Sequence, residues 1–231
     1  MIRVSRIINA RNIRHAIGEL LLIVAGILIA LAISDWHNQN IQREQELAVL
    51  GEIRTALTVD LEVLERSLRD WSETAEKIRA LIEILETEPP YDPSFAALFG
   101  APYGIRRVEL NTAAYDSLKS AGLQTVLNPE LRLSIARVFD QHYESLEFVN
   151  EVDTNVILGI MRPYYLVHFS DLRFLQSATP LDYEFIVQDS YFQNIVEYRL
   201  TVLTGNQLSA YARATEDIRA TLKMLDDELN Q

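Results

Sequence analysis

From Ala16 to Ser34 the chain runs nineteen residues with a single charge, Glu19, and no other feature limits its fold so strongly. At about 1.5 Å of rise per residue, such a helix spans close to the roughly 30 Å hydrocarbon layer of a bilayer. The stretch predicts a transmembrane helix over residues 16–36. Arg3, Arg6, Arg11 and Arg14 precede it with no acidic residue among positions 1–15, whereas Asp35 and Trp36 follow it. That asymmetry predicts a cytoplasmic N-terminus and places everything beyond Trp36 outside the cytoplasmic membrane, with Arg11, Arg14 and Trp36 as interface anchors in contact with lipid. A cleaved signal is the rival reading, because Ala30-Leu31-Ala32 forms a small-x-small site after a basic start. Glu19 and the length of the apolar run weigh for a retained anchor.

Within the segment Glu19, Ile23, Gly26 and Ala30 are spaced by four, three and four positions, which puts them on one helix face. Gly26 and Ala30 form a small-xxx-small pair that lets a second helix approach closely. Glu19, Gly26 and Ala30 are therefore the candidates for membrane-helix association. Glu19 has two readings: it snorkels to the cytoplasmic headgroups, or it faces another helix.

No proline occurs between Met1 and Pro89, and beyond the membrane segment apolar residues recur by fours and threes: Leu47, Leu50, Leu57, Leu61, Leu64, Leu68, Trp71, Ala75, Ile78, Ile82 and Leu85. This is the period of a coiled-coil seam, interrupted only by Arg54. Extended backward, one seam row carries Asn40, Ile33, Gly26 and Glu19, and the other Arg43, Trp36, Ile29 and Leu22. The pattern predicts one long helix over residues 12–87, or two nearly coaxial ones bent around Asp35 to Gln39. Its seam can pack within the chain or against copies of itself.

Residues 88–107 hold four prolines and two glycines and predict a structured connection with a helical turn around Ser94 to Phe99. Its aromatics Tyr91, Phe95, Phe99 and Tyr103 are expected to cap the end of a bundle, or to contact a ligand. Helical signals then resume over 111–229. Asn111 or Thr112 is an N-cap and Gly122 a stop; Asn128 caps a helix opened by Pro129; Pro163 kinks or ends that helix; Asp182 caps the next; Thr204 and Gly205 mark a break. The aromatic stretch 161–175 is locally ambiguous. With no alternating run of strand length, the expectation is an all-α chain: an N-terminal transmembrane helix continuing into the long helix of an extracytoplasmic up-and-down helical bundle, residues 37–231.

The absence of cysteine excludes disulfides, thiolate metal sites and a cysteine nucleophile. The net charge is −12, and once the four N-terminal arginines are set aside 17 basic residues face 33 acidic ones. So acidic a surface repels phosphate backbones and argues against nucleic acid as a partner. The four histidines, His15, His37, His142 and His168, form no HExxH-type pair. His142 lies near Asp140 and Glu144, and a metal there requires ligands from elsewhere. No phosphate-cradling glycine loop and no G-x-S-x-G elbow is present. The reading is of a protein without a catalytic motif, metal or cofactor.

The run "HAIGELLLIVAGILIALAISDWHNQN", with the helix "EIRTALTVDLEVL" after it, resembles the DUF6090 family of uncharacterised bacterial membrane proteins. The matching residues are Ala16, Ile17, Gly18, Glu19, Gly26, Ile27, Leu28, Ile29, Ala30, Leu31, Trp36 and Asn38, while Asp35 stands where the family often has asparagine. "AYDSLKSAGLQTVLNPEL", residues 114–131, is similar to a mid-domain pattern of the same family. The resemblance implies a single-pass inner-membrane protein with a periplasmic helical domain, and no activity. The expected function is that of a membrane-anchored interaction or scaffold module that forms homo-oligomers and meets a membrane or periplasmic partner. The alternatives are a ligand sensor acting through a partner, and an oligomeric channel with a ring of Glu19 carboxyls.

Overall fold

A single helix, α1 (Ala10–Thr87), accounts for 78 residues. The computed structural model describes residues 10–230, with side chains from Glu19 onward. Arg3 and Arg6 lie outside the described residues, as do the side chains of the expected anchors Arg11 and Arg14. The chain divides into two units, Met1–Ala48 and Val49–Gln231, and α1 supplies residues to both.

No break interrupts α1 at Asp35 to Gln39. Its threonines are accommodated by returning their hydroxyls to carbonyls four residues earlier, as Thr58 Oγ1 does to Arg54 O and Thr74 Oγ1 to Asp70 O, both at 2.8 Å. The helix ends where Glu88 adopts φ 45° and Pro89 follows.

The seam differs from the expected one by a single residue in one row. Leu50, Leu57, Leu64, Trp71, Ile78 and Leu85 are buried, and the row beside them is Ile53, Asp60, Ser67, Thr74 and Leu81. Of the row expected there, Ala75 is buried, Leu61, Leu68 and Ile82 are half-buried, and Arg54 is exposed. Apolarity favours Leu61 over Asp60 and Leu68 over Ser67; the fold inverts both choices because Asp60 finds polar partners inside. Counted in sevens along the sequence, Glu19 and Gly26 therefore continue the flanking row, and Leu22 and Ile29 the buried one.

The seam packs within the chain. Leu50, Ile53, Leu57 and Leu64 join one core with Leu131, Ile135, Tyr211 and Ile218, while Trp71, Ile78, Leu81 and Leu85 join another with Phe99, Tyr165, Phe192 and Val196. Three further helices, α4 (Pro129–Ala136), α5 (Tyr143–Val156) and α6 (Arg162–His168), form one rod, linked by π-helical turns at Arg137–His142 and Ile157–Met161. The second wide turn lies just ahead of Pro163, which has no amide to donate, so the rod continues to His168 rather than ending there. A last rod joins α8 (Ser190–Val202) to α9 (Ser209–Leu229) through a third π turn at Leu203–Leu208, so Thr204 and Gly205 widen the helix instead of breaking it.

Cross-links set the directions. Asp60 meets Tyr143, and further along α1 Trp71, Ile78 and Leu85 share a core with Val156, Met161 and Tyr165, so the second rod runs parallel to α1, whereas Arg54 pairs with Asp226 and Glu65 with Arg219, so the third runs antiparallel. A strictly up-and-down order is avoided because residues 88–128 return along the bundle. This return carries the short α2 (Ala96–Gly100) and α3 (Ala113–Ala121).

The local caps fall where expected. Gly122 (φ 100°) stops α3, Asn128 Oδ1 accepts from Glu130 N at 3.1 Å, and Asp182 Oδ1 accepts from Phe185 N at 3.0 Å to open α7 (Tyr183–Gln188). Asp189 then caps α8 separately, a break that the apolar spacing does not announce. The ambiguous aromatic stretch is helical to His168 and then enters a small antiparallel hairpin, β1 (Phe169–Arg173) with β2 (Ser177–Pro180). α2 covers it so closely that a Cβ on Gly100 would sit 2.3 Å from Ser177 N.

Candidate functional site: a membrane-length helix and a polar cleft

Every described residue from Glu19 to Trp36 is exposed, and among the described residues this helix alone is long and apolar enough to cross a membrane. Glu19, Gly26 and Ala30 lie in that exposed stretch, Trp36 is 65% exposed, and no atom comes within 4 Å of a Cβ built on Gly26. The face that carries the association candidates thus has no neighbour among the described residues.

In the packed unit the polar members of the seam organise two buried networks. Asp60, which is 1% exposed, accepts Tyr143 Oη at 2.5 Å and the amide of Asn111 at 3.1 Å. Burial pushes its carboxyl above 3.8, against the pull of those two donors. A carboxyl raised on folding contributes stability that is full below 3.8 and is lost as pH rises through the folded-state value. Asp60→Asn should therefore gain on the wild type as pH rises from 4 to 7 in urea-unfolding midpoints of the full-length protein; parallel displacement of the two profiles would contradict it.

The second network surrounds Trp71. The guanidiniums of Arg106 and Arg199 lie over its ring, at 5.3 and 5.4 Å from the ring centre, and Arg199 is wholly buried. Arg199 pairs with Asp153 through Nη1 and reaches Pro102 O through Nε at 3.3 Å. Burial pushes the Asp153 carboxyl up while Arg199 draws it back. Trp71 Nε1, Arg199 Nη2 and Asp153 Oδ2 have no hydrogen-bond partner among the described residues. These groups are desolvated and enclosed, which suits a specific core better than chemistry on a substrate.

A cleft of about 550 Å³ opens beside these networks, between residues 107–112 and α5. Val108, Leu110 and Leu146 supply apolar lining, Asn150 lies among them, and Glu109, Glu147 and Glu151 are exposed around it. Spacing shows Glu147 and Glu151 only as a solvated helix face; nothing local in the sequence reveals that residues 107–112 lie opposite them. A second depression of about 680 Å³ lies at residues 88–91 and 181–188, where Tyr91 and Tyr183 sit 5.1 Å apart. Phe99 and Tyr103 from the same connection are buried and close the core.

His142 is held by Asp217, Nε2 to Oδ2 at 2.6 Å, rather than by Asp140 or Glu144. Among the described residues no group of three or more histidines and carboxylates is arranged to hold a metal ion.

Fold and surface together define an all-α protein whose long first helix carries an exposed apolar stretch of membrane length. The chain belongs to the family of unknown function DUF6090, whose model matches residues 19–202. That match begins at Glu19 and spans the cleft and both buried networks. No curated protein and no solved structure matches the chain.

Proposed function

We propose that this chain is a membrane-anchored interaction module. Residues 16–36 cross the inner membrane of a bacterium with the arginine-rich N-terminus in the cytoplasm and the helical unit in the periplasm, and the face bearing Glu19, Gly26 and Ala30 draws copies together. The observation that carries this reading is the confinement of continuous apolar exposure: Leu20 through Ile33 lies open, while the seam beyond Leu50 is covered within the chain. Burying so large an apolar stretch in lipid accounts for it. The soluble seam is spent on intramolecular packing, so self-association falls to the membrane helix. No reaction is assigned to the protein.

Cross-linking of the full-length protein in phospholipid vesicles tests this. The wild type should yield dimers or larger species, and Gly26→Leu should reduce them about fivefold or more by blocking close helix approach, with Glu19→Gln reducing them if the carboxyl bonds across the interface. Gly26→Leu leaves the monomer itself unstrained, since a Cβ at that position meets nothing within 4 Å among the described residues. Monomer alone in all three proteins would end the self-association reading.

A further inference from the structure

We propose that the cleft between residues 105–112 and α5 binds an extended, lysine- or arginine-bearing segment of a partner protein. The inference rests on the interaction-module reading and names the kind of partner the packed unit takes.

Three unmet requirements converge there. The first is the main chain of residues 105–110. It is tethered by Arg106 to Asp70 at 3.0 Å, by Arg107 Nη2 to Thr154 Oγ1 at 3.1 Å, and at its far end by the Asn111 amide to Asp60 at 3.1 Å. Between the tethers it runs without a turn or bend, and half-buried Arg106, Val108 and Leu110 alternate with exposed Arg107, Glu109 and Asn111. That is the two-residue period of a strand, yet no backbone hydrogen bond joins residues 105–110 to any described residue. An extended chain laid alongside would pair with these amides and carbonyls over about 20 Å.

The second is charge. Glu147 and Glu151, one turn apart on α5, and Glu109 across from them make no ion pair with any described residue. Arg107 is the basic residue of the lining, so the cleft keeps a negative balance. It attracts cations and repels carboxylate and phosphate ligands.

The third is Asn150. Its side chain is only 8% exposed and lies in the cleft lining; its Oδ1 accepts Tyr211 Oη at 3.0 Å, and its Nδ2 has no partner among the described residues. An amide donor in the cleft lining can serve a carbonyl of a bound chain. A simple cation would satisfy the glutamates and leave both the amide and the strand-like edge unpaired. A helix would offer neither carbonyls nor amides, its own being used internally. An extended peptide meets all three requirements, with alternate side chains turned to Val108, Leu110 and Leu146 on one side and to the glutamates on the other.

The test uses full-length protein in phosphatidylcholine nanodiscs, which carry no net charge to compete for the probe. A fluorescein-labelled peptide of four Val-Lys repeats is titrated by fluorescence anisotropy, with four Val-Glu repeats as its counterpart. The Val-Lys peptide should bind and the Val-Glu peptide should not. The double variant Glu147→Gln, Glu151→Gln should weaken binding about tenfold, while Glu62→Gln with Glu216→Gln, which removes the same charge elsewhere, should leave it unchanged. Amide exchange of residues 105–110 should slow when the peptide is added. Equal binding to both double variants, absence of binding, or unaltered exchange at 105–110 would each overturn the proposal. Cross-linking in vesicles is read on the membrane helix alone, so the outcomes of the two experiments separate the cleft from the anchor.

Discussion

Asp153→Ala should lower the unfolding free energy of the full-length protein by about 3–5 kcal/mol, more than any change of a surface carboxylate. Arg199 is 0% exposed, and among the described residues Asp153 is the only carboxylate it pairs with. Removing that carboxylate leaves a guanidinium, which does not deprotonate in a protein, held only by Pro102 O and the Trp71 ring. The loss measures an uncompensated buried charge and not the net worth of the pair. Replacing both partners, Asp153→Leu with Arg199→Met, should therefore recover most of it. Urea unfolding followed by tryptophan fluorescence reads this well, because Trp71 lies against Arg199 while Trp36 is exposed. A single variant within about 1 kcal/mol of wild type would show that water reaches Arg199 and the pair is not desolvated.

The second large effect is expected at Trp71, the biggest fully buried side chain. Trp71→Ala removes an indole that shares one core with Phe99, Tyr165 and Val196 and has two guanidiniums over its ring. Truncating a buried tryptophan costs about 3–5 kcal/mol, and a domain of this size loses about 10 °C of melting temperature for that. Trp71→Phe keeps a ring under both arginines and should lose less than half as much. Because Trp71 and Arg199 touch, their truncations should not add: the double variant should deviate from the sum by about 0.5–3 kcal/mol. Simple additivity in circular-dichroism melts would show that the ring and guanidinium contribute independently.

These two sites show what the sequence hides. Asn128, Gly122 and Asp182 are legible because a cap is decided by the residues within one turn of it, and each does what its type predicts. The seam is legible in its period and in the row from Leu50 to Leu85, yet its second row is off by one. Asp60, Ser67 and Thr74 read as surface until Tyr143, 83 residues away, and the Asn111 amide are brought to Asp60. Pro163 and the Thr204-Gly205 pair read as interruptions, yet the rods stay continuous: a π turn at Ile157–Met161 precedes Pro163, and Thr204 and Gly205 lie within another. The hairpin at 169–180 is too short for periodicity to register, and depends on α2 lying over it. For the cleft, Glu147 and Glu151 are visible as a pair, while its other wall is a stretch of chain with no regular structure to forecast.

By itself, then, the sequence determined the helical character of the chain, the membrane-length stretch with Glu19, Gly26 and Ala30 on one face, the family, and the ends of most helices. Each of these depends on composition or on neighbours within a few residues, where propensity and periodicity act. The tertiary structure alone decided which row of α1 is buried, that the seam is covered within the chain, that Arg199 and Asp153 meet around Trp71, and that a cleft with an unpaired edge forms beside α5. Those features arise from contacts between residues far apart in the chain, 46 positions for Arg199 with Asp153 and 172 for Arg54 with Asp226, and no local pattern encodes a partner at that distance.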